Sequence, residues 1–271
     1  MRRGLTVLVM TAALAVCLLS SGCAGNDDLR ESADSSSHVV VQPEMLAPQR
    51  VIDTPDPADL PAETMLTPEE VAAYGEDACF TVSAISDDVF ARMVGKTYKS
   101  NCTIPRDELR YIRVLHKNID GDILTGEIVM HESVANEICE IFHELYRADY
   151  PIERMRLADD YDADDRASMG DNNTSGFNFR LVEGTDHLSN HARGLALDIN
   201  PFYNPYCIPS TGYVSPPGAQ DYANRSAEFP YKIAEGDLLY TLFMEHGFRW
   251  GGHWNSPKDY QHFEKNGAVI Y

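Results

Sequence analysis

Positive charge is scarce in this 271-residue chain: 22 lysines and arginines face 42 aspartates and glutamates, giving a formal net charge of −20. So acidic a surface repels the phosphates of nucleic acids and anionic lipid heads, so nucleic acid is not expected as a partner. No internal repeat is visible. The chain has six cysteines, but no CxxC pair, which argues against a cysteine zinc site. His131 and His143 each precede Glu, yet neither completes HExxH, so a thermolysin-like site is not expected. The acidic stretch YDADDRASMGDNN lacks the terminal acidic ligand of a twelve-residue EF-hand loop and reads as a solvated loop. The apolar run from Leu5 to Leu19 is short of the roughly 20 residues needed to span a bilayer.

That run follows Arg2 and Arg3, and together they predict a signal peptide over residues 1–22. Its end, LLSSGC, resembles a bacterial lipoprotein cleavage box, which implies lipidation at Cys23 and an extracytoplasmic protein held at the membrane by lipid. Residues 23–65 are polar and rich in Asp, Ser and Pro, without an apolar period. They predict a flexible tether. A folded domain is expected over 66–271, and with 44% hydrophobic residues the chain can form one good-sized core. Four cysteines remain in the mature chain: Cys79, Cys102, Cys139 and Cys207. Their even number in an exported protein predicts two disulfides.

Within the domain, TPEEVAAYG predicts a helix with Thr67 as N-cap, Pro68 first and Gly75 as stop. SDDVFARMVGK predicts a second helix, capped by Ser86. LRYIRVLH and GEIVMH alternate as strands around the turn NIDGD. SVANEICEIFHELYRA places Val134, Ile138, Ile141, Phe142 and Leu145 on one helical face. IERMRLADDY reads as a further strand. Strands and helices mix without regular βαβ alternation, so the expected class is α+β, a small antiparallel sheet flanked by helices.

The chemistry gathers in two later segments. In SNHARGLALDIN, Gly194 permits a bend and Ala196–Ile199 alternates like a strand, so His191 and Asp198 can converge. Imidazole nitrogen and carboxylate oxygen are both good zinc ligands. In WGGHWNSPKDYQHFEKNG, His262 offers a third ligand, and Asp259 lies three residues before it, suited to proton transfer. His253 and His187 lie off the pattern. Trp250 and Trp254 are candidates for either the cleft or the core. Arg193 is either a specificity residue or solvated.

SNHARGLALD has the form SxHxxGxAxD and DYQHFE the form (D/E)xxHFE. In this order they resemble the zinc D-alanyl-D-alanine carboxypeptidases and L-alanyl-D-glutamate peptidases of the Hedgehog/DD-peptidase fold. DNNTSGFNFR, DINPFYNPY and GFRWGGHW resemble one bacterial branch of that family. The resemblance covers roughly residues 106–271. It implies Zn2+ held by His191, Asp198 and His262, with Asp259 as general base. It implies support or substrate contact by Ser189, and carbonyl or carboxylate stabilisation by an upstream arginine, for which Arg180 is the candidate. The implied activity is cleavage of peptidoglycan stem peptides at D-Ala-D-Ala by a monomeric, lipid-anchored enzyme. L-Ala-D-Glu endopeptidase activity and a non-catalytic zinc-binding cell-wall module are the alternatives.

Overall fold

The computed structural model describes residues 56–182 and 184–265. The signal segment, Cys23 and most of the tether lie outside the described residues. The described residues belong to one unit, 52–271. Its first part contains, in chain order, β1 (Met65–Leu66), α1 (Pro68–Tyr74), β2 (Thr81–Ala84), α2 (Asp87–Met93), β3 (Leu109–Lys117), β4 (Ile123–His131) and α3 (Glu132–Arg147).

Local chemistry sets these boundaries. Thr67 Oγ1 accepts from the Glu70 N–H while the Glu70 carboxylate accepts from the Thr67 N–H, and Gly75 ends α1 with φ of 84°. A reciprocal cap of this kind is worth about 1 kcal/mol. Ser86 caps α2 through the Val89 N–H. Asn118 Oδ1 accepts from the N–H groups of Asp120 and Asp122, closing the turn between β3 and β4. The four strands pair antiparallel in the order β1-β4-β3-β2. The predicted apolar face of α3 is buried in full and packs on β3.

The second part contains α4 (Asp165–Gly170), β5 (Ala196–Asp198), β6 (Tyr206–Ile208), β7 (Tyr213–Ser215), α5 (Leu238–Glu245), β8 (Arg249–Trp250), β9 (Lys258–Asp259) and β10 (His262–Glu264). Two three-stranded antiparallel sheets result, β5-β10-β8 and β7-β6-β9. The expected α+β class is therefore observed. Leu197, Ile199, Phe243, Phe248, Trp250 and Phe263 join Ile138, Ile141 and Phe142 of α3 in one buried cluster. The helix thus braces the large sheet and the small β5-β10-β8 sheet together.

Four sequence expectations meet a different structure. In IERMRLADDY residues 152–157 make no strand ladder, only isolated bridges at Arg154 and at the preceding Pro151, and Ala158–Tyr161 turn into a 3-10 helix. Side chains replace the missing neighbour: the N–H groups of Glu153, Met155 and Arg156 donate to Asn200, Glu63 and Asn173. The segment YDADDRASMGDNN is not simply a solvated loop. Asp164 caps α4 through the N–H groups of Arg166 and Ala167, and Asn172 and Asn173 are buried. The two predicted disulfides are absent: Cys79, Cys102, Cys139 and Cys207 are free. Cys79, Cys102 and Cys139 pack with three different apolar clusters and Cys207 lies on β6, so each thiol is used as a small packing group. Finally, residues 56–64, on the tether side of the expected boundary at Leu66, touch the large sheet. The Leu60 carbonyl accepts from Arg113, and Thr125 Oγ1 donates to the Pro61 carbonyl.

Candidate metal and catalytic site

Strand register brings the first two candidate ligands together. In the β5–β10 ladder His262 stands directly opposite Asp198, so the two side chains leave the same face of the sheet. His191 arrives from a single 3-10 turn, His191–Arg193. Ser189 Oγ accepts from the His191 N–H at 3.2 Å, and the Ser189 N–H donates to the Arg180 carbonyl at 3.1 Å. Gly194 ends the turn at φ of 67°, and a Cβ there would fall 2.6 Å from the His131 amide nitrogen. Glycine is therefore needed both for the backbone conformation and for the approach of the turn to β4.

The donor atoms form a tight triangle. His191 Nε2 lies 3.2 Å from His262 Nδ1 and 3.3 Å from Asp198 Oδ1, and His262 Nδ1 lies 3.0 Å from Asp198 Oδ1. Tetrahedral zinc with bonds of about 2.0–2.1 Å separates its ligand atoms by roughly 3.3–3.4 Å. The spacing and the donor set both fit. The imidazole tautomers fit as well. His191 Nδ1–H donates to the Gly176 carbonyl at 2.8 Å, which frees Nε2 for a metal. His262 Nε2–H faces Glu264 Oε2 at 3.3 Å, which turns Nδ1 to the same point.

Glu264 is the residue that sequence reading passed over. It lies within DYQHFE, a pattern that by itself assigns it no chemistry. The alternation of His262-Phe263-Glu264 is the signal, because it puts Glu264 on the histidine's side of the strand. Its carboxylate also accepts from Asn190 Nδ2 and from Arg249 Nη2 at 2.6 Å. The Gly176 carbonyl had no signal beyond its place in DNNTSGFNFR.

Electrostatics follow from this crowding. Burial raises the Asp198 pKa, but His191 and His262 outweigh it and hold the carboxyl well below the usual carboxylate range. Burial opposes protonation of His262, yet hydrogen bonds to Asp198 and Glu264 raise its pKa to about 10. For Glu264, burial is again outweighed, by hydrogen bonds from His262 and Asn190, and the pKa falls to about 2. Asp259 goes the other way: desolvation, then the negative charge of Asp198, push it up to about 6.

Asp259 sits on β9, and Gly251 makes room for it. A Cβ on Gly251 would lie 2.5 Å from the Asp259 carbonyl oxygen and 2.8 Å from its Cβ. Asp259 Oδ1 is shut off from solvent and has no hydrogen-bond partner in the protein. A carboxylate oxygen in that position suits a proton from water or substrate. Arg180 is one-quarter exposed and its guanidinium is ion-paired with Asp165 of α4. Trp254 reaches the site, with its ring centroid 5.3 Å from that of His262, whereas Trp250 is a core residue whose indole N–H donates to the Tyr260 carbonyl.

The structure places other candidates elsewhere. His253 pairs with Glu235 at 3.0 Å, His187 is exposed, and Arg193 is exposed on the turn. His131 caps α3, and His143 stacks on Phe80. Glu76, Asp77 and His143 also converge, but Arg147 Nε already lies 2.7 Å from Glu76. That cluster already holds a cationic side chain.

Two imidazoles and one carboxylate around a point form a group that could hold a metal ion. Residues 183–265, the segment carrying the site, match the family model described as D-alanyl-D-alanine carboxypeptidase. The match includes Ser189, His191, Asp198, Asp259 and His262, and begins after Arg180. No curated protein and no solved structure gives a significant match.

Proposed function

We propose that the protein is a zinc-dependent carboxypeptidase acting on D-Ala-D-Ala ends of peptidoglycan stem peptides, built on a Hedgehog/DD-peptidase-like fold. The observation that carries the reading is the triangle of His191 Nε2, Asp198 Oδ1 and His262 Nδ1, with edges of 3.0–3.3 Å. Zinc held there would supply charge at the scissile carbonyl and a water of lowered pKa, near about 7.

The protein's own residues do the rest. Asp259 takes a proton from the attacking water, whose oxygen bonds to the carbonyl carbon. The C–N bond then breaks, and Asp259 returns the proton to the leaving amine. A carboxyl with a pKa raised to about 6 is suited to both transfers. Ser189 holds the turn that presents His191. Arg180 is assigned to the substrate's carbonyl or carboxylate, a task that requires it to share or exchange Asp165. A lipid on Cys23 and a tether ending before residue 56, where the chain meets the large sheet, would keep this monomeric enzyme at the outer face of the membrane, within reach of the wall.

The test is paired. Asp259→Ala should keep its zinc and its fold while hydrolysis of muropeptides slows by about 10²–10⁴-fold. His191→Ala should lose zinc altogether. If Asp259→Ala keeps full activity, the base lies elsewhere. If the unaltered zinc-loaded protein binds stem peptides and cleaves none, the protein is a binding module.

A further inference from the structure

The hairpin β6–β7 is built onto the strand that carries Asp259. Tyr206 stands opposite Asp259 on one side and Ser215 on the other, and Tyr213 stands opposite Ile208. Directly opposed residues of an antiparallel ladder project from the same face, with Cβ atoms about 4.5–5.5 Å apart. Since Tyr206 and Ile208 also share a face, Tyr206, Tyr213 and Asp259 all lie on one side of this sheet. The two tyrosine rings meet edge to face, with centroids 6.3 Å apart and planes at 76°. Tyr213 is 42% exposed, an aromatic ring held in water on the Asp259 face of the sheet.

Position relative to Asp259 has a chemical meaning, because Asp259 gives its proton to the leaving amine. Whatever stands next to Asp259 on its own face stands next to the leaving fragment. A peptide advances about 3.2–3.4 Å per extended residue. A tyrosine side chain is longer than that, so a ring beside the amine covers the path a second leaving residue would take.

We infer that the Tyr206–Tyr213 pair closes the leaving-group side of the cleft and limits the leaving fragment to a single amino acid. The pair thereby sets carboxypeptidase over endopeptidase cleavage. This inference rests on the proposed function, and in particular on Asp259 as the group that protonates the amine.

The full-length zinc-loaded protein would be given an N-acylated D-alanyl-D-alanine peptide, and the same peptide extended by two further residues. The unaltered enzyme should prefer the shorter peptide in kcat/KM by at least about tenfold. Tyr213→Ala should reduce that preference by about tenfold, chiefly through faster cleavage of the extended peptide at the same bond. Tyr213→Phe should retain the preference, since the ring and not the hydroxyl is the barrier. Zinc content and melting temperature would be measured alongside. Equal cleavage of both peptides by the unaltered enzyme overturns the inference and leaves the peptidase reading standing, as does an unchanged ratio in Tyr213→Ala. A zinc-loaded enzyme that cleaves neither peptide overturns the functional reading, and the inference with it.

Discussion

In the large sheet β3 and β4 each run for nine residues and α3 for sixteen; around the metal ligands no strand exceeds three. The first region satisfies its backbone by repetition, and its side chains by burial of one continuous apolar face. The second satisfies its backbone one group at a time. Ser189 holds the His191 amide, Asn200 holds Glu153, and Asn204 Oδ1 accepts from the Ile233 N–H. Long ladders average over many small contributions, so no single residue decides the geometry. Short segments pinned by individual hydrogen bonds can set a ligand atom to a few tenths of an ångström, but each pin matters. The two regions should therefore fail in different ways.

The largest expected effects come from separating them. Phe142, buried at the junction of α3 with the strands of the site, should cost about 3–5 kcal/mol of stability when cut to alanine. At temperatures where it remains folded, Phe142→Ala should still bind one zinc per chain. His191→Ala should show the reverse: no zinc, with the metal-free fold retained. Denaturant unfolding and metal analysis of the two variants read this directly. If Phe142→Ala loses zinc while folded, the regions are not separable and the comparison breaks.

A smaller effect sharpens it. Glu264 touches no proposed metal position, yet it orients His262 and gathers Asn190 and Arg249. Glu264→Gln should weaken zinc binding by about 10–100-fold, the usual worth of a partner that aligns a ligand histidine. Its unfolding midpoint with zinc removed should move little by comparison. Competition against a chelator of known affinity measures the first quantity. Unchanged affinity would mean that the strand alone aims His262.

These differences also explain what could be read from the sequence. Caps and periodicities of the first region were legible, because Thr67, Ser86 and the Ile138–Phe142–Leu145 face are local signals. The candidate group His191, Asp198 and His262 was legible only as a pattern of spacings, and the β5–β10 register and the turn at His191 supply the geometry that brings the three together. The segment 152–161 misled because the N–H groups of Glu153, Met155 and Arg156 find side chains distant in sequence, and because Ala158–Tyr161 curl into a 3-10 helix. Glu264 was visible only once His262 had a strand to sit on. The cysteines misled because an even count does not bring the sulfurs together.

The last prediction concerns pH, where the site should respond differently with and without metal. In the metal-free protein His262 has its pKa raised to about 10, against an ordinary value of about 6.5. A raised histidine pKa stabilises the fold fully below about 6.5, and that contribution disappears as pH climbs towards 10. Glu264, lowered to about 2, contributes above its ordinary value of about 4.3 and loses that contribution only as pH falls towards 2. Asp259, raised to about 6, favours the fold below its ordinary value and loses this as pH rises through 6. The two raised groups act in successive windows, Asp259 between about pH 4 and 6 and His262 above about 6.5, so from about pH 6.5 to pH 10 His262 makes the chelated protein steadily less stable. Zinc requires the neutral form of His262, so metal binding removes the His262 part of that slope. Each kcal/mol so gained or lost moves the melting temperature of a domain this size by about 2–4 °C. Melting temperatures from pH 5 to pH 10, with chelator and with zinc, should therefore diverge on the alkaline side. Phe142→Ala should lower both curves together and leave their divergence intact. Parallel curves for the unaltered protein would mean that the contacts of His262 with Asp198 and Glu264 contribute nothing to the fold, and that the site is carried entirely by the core beneath it.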